Sequence, residues 1–233
     1  MSSEKSVYTF SFDELKDIFN AHLTTQAQIS NYPIGFLSFR TKLILWIITI
    51  CQKYHFRVET LYRTVSIFDR YISSRKVINF ADIQQYKLII IACLSISTKL
   101  NEVNANYIKF FTNNLLNSNE GHKNYSSKDV YLTEMEILPS INYQINSSNV
   151  CQFNSIFRKI CLAHIRSNKV KQSFSNLNNR LLKEFILSEQ SISLSPVNGA
   201  IVVINATLKE FNENDIDMIS TVMDIEKLNC FPQ

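Results

Sequence analysis

The chain has 233 residues, 45% of them hydrophobic and 12% aromatic, enough to bury one large core or two small ones and too apolar for a mainly disordered protein. Lys and Arg total 24 against 20 Asp and Glu, a formal net charge of +4. The cations are scattered rather than blocked together, so no concentrated basic surface for a nucleic acid is expected.

Glycine occurs 3 times and proline 4 times, which leaves few sites for tight hairpins or for loops that cradle nucleotides. An all-α protein follows. The five cysteines, Cys51, Cys93, Cys151, Cys161 and Cys230, form no CxxC pair and lie mostly in apolar surroundings, as free buried thiols in a reducing compartment do. No cationic n-region followed by an apolar run opens the sequence, so no secretory signal is expected. The sequons at Asn124, Asn146 and Asn205 are then read as chance.

Ser11 followed by Glu14 is a capping box that opens a first helix, with Phe12, Leu15, Phe19 and His22 on one face. The stretch TTQAQISNYPIG reads as a linker. A second helix begins near Ser38 and carries Leu43, Trp46, Ile47 and Ile50 at helical spacing, with apolar residues on its other faces too, and is expected to be central. Residues 57–74 repeat the period through Leu61, Val65, Phe68 and Ile72. A fourth helix runs from about Asn79 to Lys99. Its apolar run over residues 88–96 is interrupted only by Ser95, about half the ~20 residues a bilayer-spanning helix needs. It reads as a buried helix from whose end Lys99 emerges.

A shorter helix is expected over 104–117 and a polar loop over 118–127. Ser126 caps a helix from about 127 to 138, which Pro139 ends or kinks by its ring clash and missing donor. After Asn146-Ser147-Ser148-Asn149, one helix carries Val150, Phe153, Phe157 and Ile160, and the next carries Phe174, Leu177, Leu181 and Phe185. Ser195-Pro196 is a cap followed by proline at the first helical position, and residues 212–233 leave room for one short helix. The domain reading is an N-terminal helix and linker over 1–37, a helical bundle over 38–146, and a shortened second bundle over 147–233.

The four histidines, His22, His55, His122 and His164, have no metal-ligand spacing, and no P-loop, GxGxxG or GxSxG motif occurs. No metal or cofactor is expected, nor catalysis by this chain alone.

Residues 39–73 resemble the first two helices of a cyclin box. The family pattern M-R-A-I-L appears as Phe39-Arg40-Thr41-Lys42-Leu43, its tryptophan as Trp46, E-T-L as Glu59-Thr60-Leu61, and its aspartate-arginine pair as Asp69-Arg70, with no gap. IACLSISTKLNE is similar to the third helix, and residues 131–145 to the fifth, with its E-x-x-I-L-x-x-L-x-[FY] pattern. The resemblance in 150–210 is fainter and rests on helix order and on LSPVNGAIVVINATL.

The resemblance implies a cyclin fold: a five-helix bundle preceded by an N-terminal helix and followed by a second, shorter bundle. It implies a non-catalytic subunit that binds and activates a cyclin-dependent serine/threonine kinase, in cell-cycle control or transcription, in the nucleus and cytoplasm, without direct nucleic-acid or membrane binding. Lys99 and Glu134 correspond to the polar pair that grips the kinase around its regulatory helix, with Leu100, Glu102, Leu138, Tyr143 and Ile145 beside them. Taken alone, Lys99 is a cation at a helix C-terminus, worth ~0.3–1 kcal/mol. Arg40 and Asp69 correspond to a structural ion pair between the first two helices of the box.

Phe39, Leu43 and Trp46 occupy the patch where some cyclins dock short hydrophobic motifs of substrates and inhibitors; ordinary helix packing accounts for the same spacing. The acid that serves that patch in the family falls at Thr49, Asn101 replaces the first of two acids after the lysine, and Pro139 interrupts a helix that normally continues. The alternative is a cyclin-fold scaffold or transcription-factor-like adaptor that does not bind a kinase.

Overall fold

The computed structural model describes residues 10–27, 29, 32–75, 83–103, 108–116, 125–212 and 214–229. The expected starts of the fourth helix near Asn79 and of the 104–117 helix, most of the polar loop, and Cys230 lie outside them. The described residues form eleven α-helices and no extended strand: α1 (Phe12–Thr25), α2 (Leu37–Lys53), α3 (Val58–Ser74), α4 (Ile83–Asn101), α5 (Ile108–Phe111), α6 (Ser127–Ser140), α7 (Val150–Ala163), α8 (Asn168–Leu187), α9 (Gln190–Ser193), α10 (Pro196–Leu208) and α11 (Met218–Asn229). A 3₁₀ turn, Ile34–Phe36, leads into α2, and a π-helical turn, Thr112–Leu116, follows α5.

The helix starts follow local chemistry. Ser11 with Glu14, Ser126 with Asp129, and Asn149 with Gln152 form reciprocal capping boxes, and Ser195 caps α10 ahead of Pro196. Each box satisfies two amide donors that a helix terminus otherwise leaves open.

In the first bundle α4 packs between α3 and α6 and is buried on every face from Ile89 to Thr98. This corrects the expected central place of α2, whose Leu45 and Thr49 face solvent. The extra apolar residues on α2 mark a wide stripe, whereas α4 is enclosed because helices cover both its sides.

The second core gathers α7, α8, α10 and α11, and α1 belongs to it: Phe19 meets the rings of Phe153 and Phe157 at 5.6 and 5.8 Å. The stripe on α8 is offset from the expected one and runs Phe174, Asn178, Leu182, Phe185. Asn178 is the buried exception. It exchanges amide hydrogen bonds with Asn154 at 2.8 and 3.2 Å and donates to the Thr207 hydroxyl at 3.1 Å, so a fully buried polar group stays satisfied.

The two bundles share a seam, because Leu182, Phe185 and Ile186 of α8 and Val203 of α10 pack into the first core. A Cβ at Gly199 would lie 2.6 Å from the Phe185 ring, and glycine therefore permits the close approach of α10 to α8. Residues 146–149 cross the seam with every side chain engaged. Asn146 accepts from Arg63, Ser147 from Arg70, and Ser148 meets His22 Nδ1 and Thr25 at 2.7 Å each, while Asn149 caps α7.

Arg40 ties these parts together. Its Nε and Nη2 donate to the two oxygens of Asp69 at 2.7 Å each, and its Nη1 donates to the Ile186 carbonyl at 2.9 Å. Tyr32 donates to Asp69 at 3.2 Å. Burial opposes the Arg40 charge, and Asp69 more than restores it, so the guanidinium is held above its usual range. The expected tie between the first two helices of the box therefore also fastens the second bundle.

Cys51, Cys93, Cys151 and Cys161 are free thiols, and burial pushes Cys51 and Cys161 up to about 12. No helix among the described residues is long and apolar enough to cross a membrane.

Arg40→Ala is expected to lower unfolding free energy by ~3–5 kcal/mol in urea titrations, because it strands a buried carboxylate. Arg40→Met with Asp69→Leu should recover much of that loss. Burial lowers the pKa of His22, so the unfolded chain binds the proton more readily and stability falls as pH drops through and below about 6.5. Urea midpoints measured from pH 8 to pH 5 should show this decline, and His22→Gln should flatten it.

Candidate functional site

The C-terminus of α4 and the outer face of α6 meet at Lys99 and Glu134. Lys99 Nζ donates to Glu134 Oε1 at 2.9 Å and Oε2 at 2.6 Å. The partners differ in exposure: the lysine side chain is 41% accessible and the glutamate 6%. The ammonium group thus covers a carboxylate sunk between α4 and α6, and an incoming group can reach the pair from the lysine side. Lys99 also sits in the last turn of α4, where the helix dipole favours a cation.

Apolar side chains flank the pair. Leu100, Tyr131, Leu132, Met135 and Tyr143 are exposed, while Leu138 and Ile145 are half-buried against the first core. Residues 131, 134, 135 and 138 share one stripe of α6, since residues three, four and seven apart lie on one helical face. Tyr131, Leu132 and Met135 were not singled out from sequence. Their spacing around Glu134 was a usable signal, but periodicity cannot tell an apolar residue facing solvent from one facing a core.

Pro139 lies one residue from the end of α6, which stops at Ser140 as the proline predicts. Asn142 and Tyr143 follow with φ of 52° and 56°. Tyr143 donates its amide to the Leu138 carbonyl at 2.8 Å, closing the turn. Asparagine tolerates the left-handed region, whereas it is strained for a bulky residue. The strained backbone holds a tyrosine that is 66% exposed.

Glu102 takes a different position from the one expected. Its Oε1 accepts from the Arg57 amide at 2.9 Å and the Thr60 hydroxyl at 2.5 Å. It serves as an anionic cap on α3, whose own N-cap residue, Arg57, makes no side-chain cap bond, and so it fastens the end of α4 to the start of α3. Its carboxylate is already occupied.

The second patch also differs from expectation. Phe39 packs edge-on against Phe36 and Tyr86, with centroids 5.3 and 5.2 Å away, and Trp46 is half-buried with Lys87 Nζ 5.8 Å from its ring. Leu43 is 3% exposed and belongs to the first core. Of the three patch residues, only Phe39 and Trp46 reach the surface, because Leu43 turns inward with Ile47 and Ile50. The Thr49 hydroxyl donates to the Leu45 carbonyl at 2.9 Å, and Thr49 carries no negative charge to receive a cation. Among the described residues, no group of three or more His, Cys, Asp or Glu could hold a metal ion.

The family model described as the cyclin N-terminal domain matches residues 12–146, more than half of the chain. The chain belongs to the cyclin family. Cyclins are regulatory, non-catalytic subunits.

Among its relatives, G2/mitotic-specific cyclin-3 of Saccharomyces cerevisiae is 27% identical over 159 residues, covering 68% of this chain and 33% of that protein. G2/mitotic-specific cyclin-B1 of Caenorhabditis elegans is 30% identical over 131 residues, 55% of this chain and 31% of that protein. Cyclin-A1-4 of Oryza sativa subsp. japonica is 44% identical over 66 residues, 28% of this chain and 17% of that protein. The matches thus span about a third or less of these relatives' length. The viral cyclin of herpesvirus saimiri superposes with a TM-score of 0.67 at 15% identity, covering 93% of this chain and 89% of the viral one. The likeness confirms the cyclin fold.

Tyr143→Gly is expected to leave the helical circular dichroism intact and to raise stability by up to ~1 kcal/mol. Relief of left-handed strain, ~1–2 kcal/mol, exceeds the ~0.5–1 kcal/mol entropy cost of glycine. Thermal and urea unfolding measure it.

Proposed function

We propose that this cyclin binds and activates a cyclin-dependent serine/threonine protein kinase in cell-cycle control, through the face built on Lys99 and Glu134. The observation that carries this reading is the half-open ion pair set among exposed apolar side chains of α6 and the strained turn after it. A solvent-facing ammonium above a buried carboxylate can bond backbone groups of a partner helix. Leu100, Tyr131, Leu132, Met135, Leu138, Tyr143 and Ile145 supply the apolar area around it. The charged groups fix register and exclude wrong partners, and the apolar area contributes most of the affinity. The mitotic names of two relatives support the cell-cycle role.

Activation follows from preferential binding. A kinase is competent when its regulatory helix is swung inward, so that the helix glutamate pairs with the phosphate-binding lysine. A surface complementary to the inward helix alone shifts the kinase population toward that state. The cyclin contributes shape and hydrogen bonds, and the kinase contributes the chemistry. Phe39 and Trp46 form a secondary patch for substrate segments, and Thr49 in place of an acid, with Lys87 beside Trp46, alters the segments it accepts.

The test is binding to purified cyclin-dependent kinases of the same organism with activity read alongside. Wild type should bind at least one of them and raise its activity. Lys99→Ala with Glu134→Ala should weaken binding and activation by at least about tenfold, equivalent to ~1.4 kcal/mol, while the helical signal persists. Binding that survives the double change would place the contact on another face, and binding to none would favour a scaffold role.

A further inference from the structure

A second concave surface lies on the opposite bundle, between the start of α1 and the end of α7. It is a groove of about 530 Å³ floored by Phe12, Leu15, Ile160 and Leu162, with Phe10 at its mouth. Its size is that of a ligand site rather than a packing defect, and its lining is apolar with a few polar groups at the edge, as in sites that bury part of a ligand.

The edge charges are one-sided. Lys159 and Lys171 line the groove, and neither has a carboxylate within ion-pair distance among the described residues. The Lys159 ammonium lies 3.9 Å from the centroid of the Phe10 ring, a cation held on an aromatic face. Burial, then the neighbouring Arg158, lowers its pKa. Asp224, the carboxylate among the lining residues, is committed elsewhere: it meets His164 Nε2 at 2.9 Å and accepts from Lys227 at 2.8 Å. An apolar floor beneath two lysines without carboxylate partners is complementary to apolar side chains accompanied by negative charge.

We propose that this groove docks a segment of a partner protein that carries apolar side chains flanked by carboxylates. A chain segment suits the site better than an enclosed small molecule, because Phe10 and Lys159 at the mouth remain exposed and the groove is open to solvent there. The apolar side chains fill the floor between α1 and α7, and the carboxylates meet Lys159 and Lys171. The site is separate from the Lys99–Glu134 face and does not depend on kinase binding.

Fluorescence anisotropy with the full chain tests this, using fluorescein-labelled 12-residue peptides that repeat Asp-Leu-Leu-Glu, Asn-Leu-Leu-Gln or Lys-Leu-Leu-Lys. The acidic peptide should bind saturably, the amide peptide at least about tenfold more weakly and the basic one not at all, since charge complementarity selects among equally apolar partners. Lys159→Glu with Lys171→Glu should invert that order, and Ala163→Trp, which fills the groove, should abolish binding of all three. Circular dichroism should show each variant folded. Absence of saturable acidic-peptide binding, equal affinity for the acidic and amide peptides, or unchanged selectivity in the double lysine variant would overturn the proposal.

Discussion

The bidentate pair of Arg40 and Asp69, with its third bond to the Ile186 carbonyl, is the constraint on which the arrangement of the two bundles rests. A guanidinium offers five donors in a fixed plane, so one side chain can satisfy a carboxylate along one edge and a carbonyl along another. Asp69 fixes α3 against α2, and Ile186 fixes the end of α8 against both. Thr41 adds a parallel bond to the Leu187 carbonyl at 3.3 Å. The apolar seam formed by Leu182, Phe185, Ile186 and Val203 surrounds this polar centre. Pairing keeps the buried charges from being costly, and their geometry sets the angle at which the bundles meet.

The two ends of the Lys99–Glu134 face depend on that frame in different ways. At the end of α4, three positions within four residues diverge. Lys99 turns to Glu134, Leu100 faces solvent, and Glu102 turns back to cap α3. The acid that stays close to the lysine in sequence is thus used inside the protein, and the acid paired with it comes from a helix further along the chain. At the end of α6, Pro139 and the left-handed residues Asn142 and Tyr143 redirect the chain within a few residues and set an aromatic ring outward. Strain at a bulky residue persists only where the surroundings impose it. The amide of Tyr143 is held by the Leu138 carbonyl, and Ile145 anchors the turn on the core.

The linker between the bundles shows how short polar side chains do structural work in a protein poor in glycine. Asn146, Ser147, Ser148 and Asn149 each bond a different neighbour, on α3, on α1 or at the N-terminus of α7. They bring α1 onto α7, which creates both the second core and the groove beside it. A change in this linker therefore affects the second bundle before the Lys99–Glu134 face.

Sequence alone determined the helical class, most helix limits and their caps, because capping boxes, proline positions and apolar periodicity are local. It also determined the register that brings Lys99 to Glu134 and Arg40 to Asp69, through spacing shared with the cyclin box. Tertiary structure decided what covers each apolar stripe. It left one face of α2 open to solvent, assigned α1 to the second core, placed Leu43 inside and left Leu132 and Met135 outside, while the enclosure of α4 was legible in its unbroken apolar run. It also buried Asn178, which only its partners Asn154 and Thr207 make tolerable, and drew Glu102 to the open N-terminus of α3. Periodicity records that a face is apolar, while the identity of its neighbour is a property of packing between segments distant in the chain.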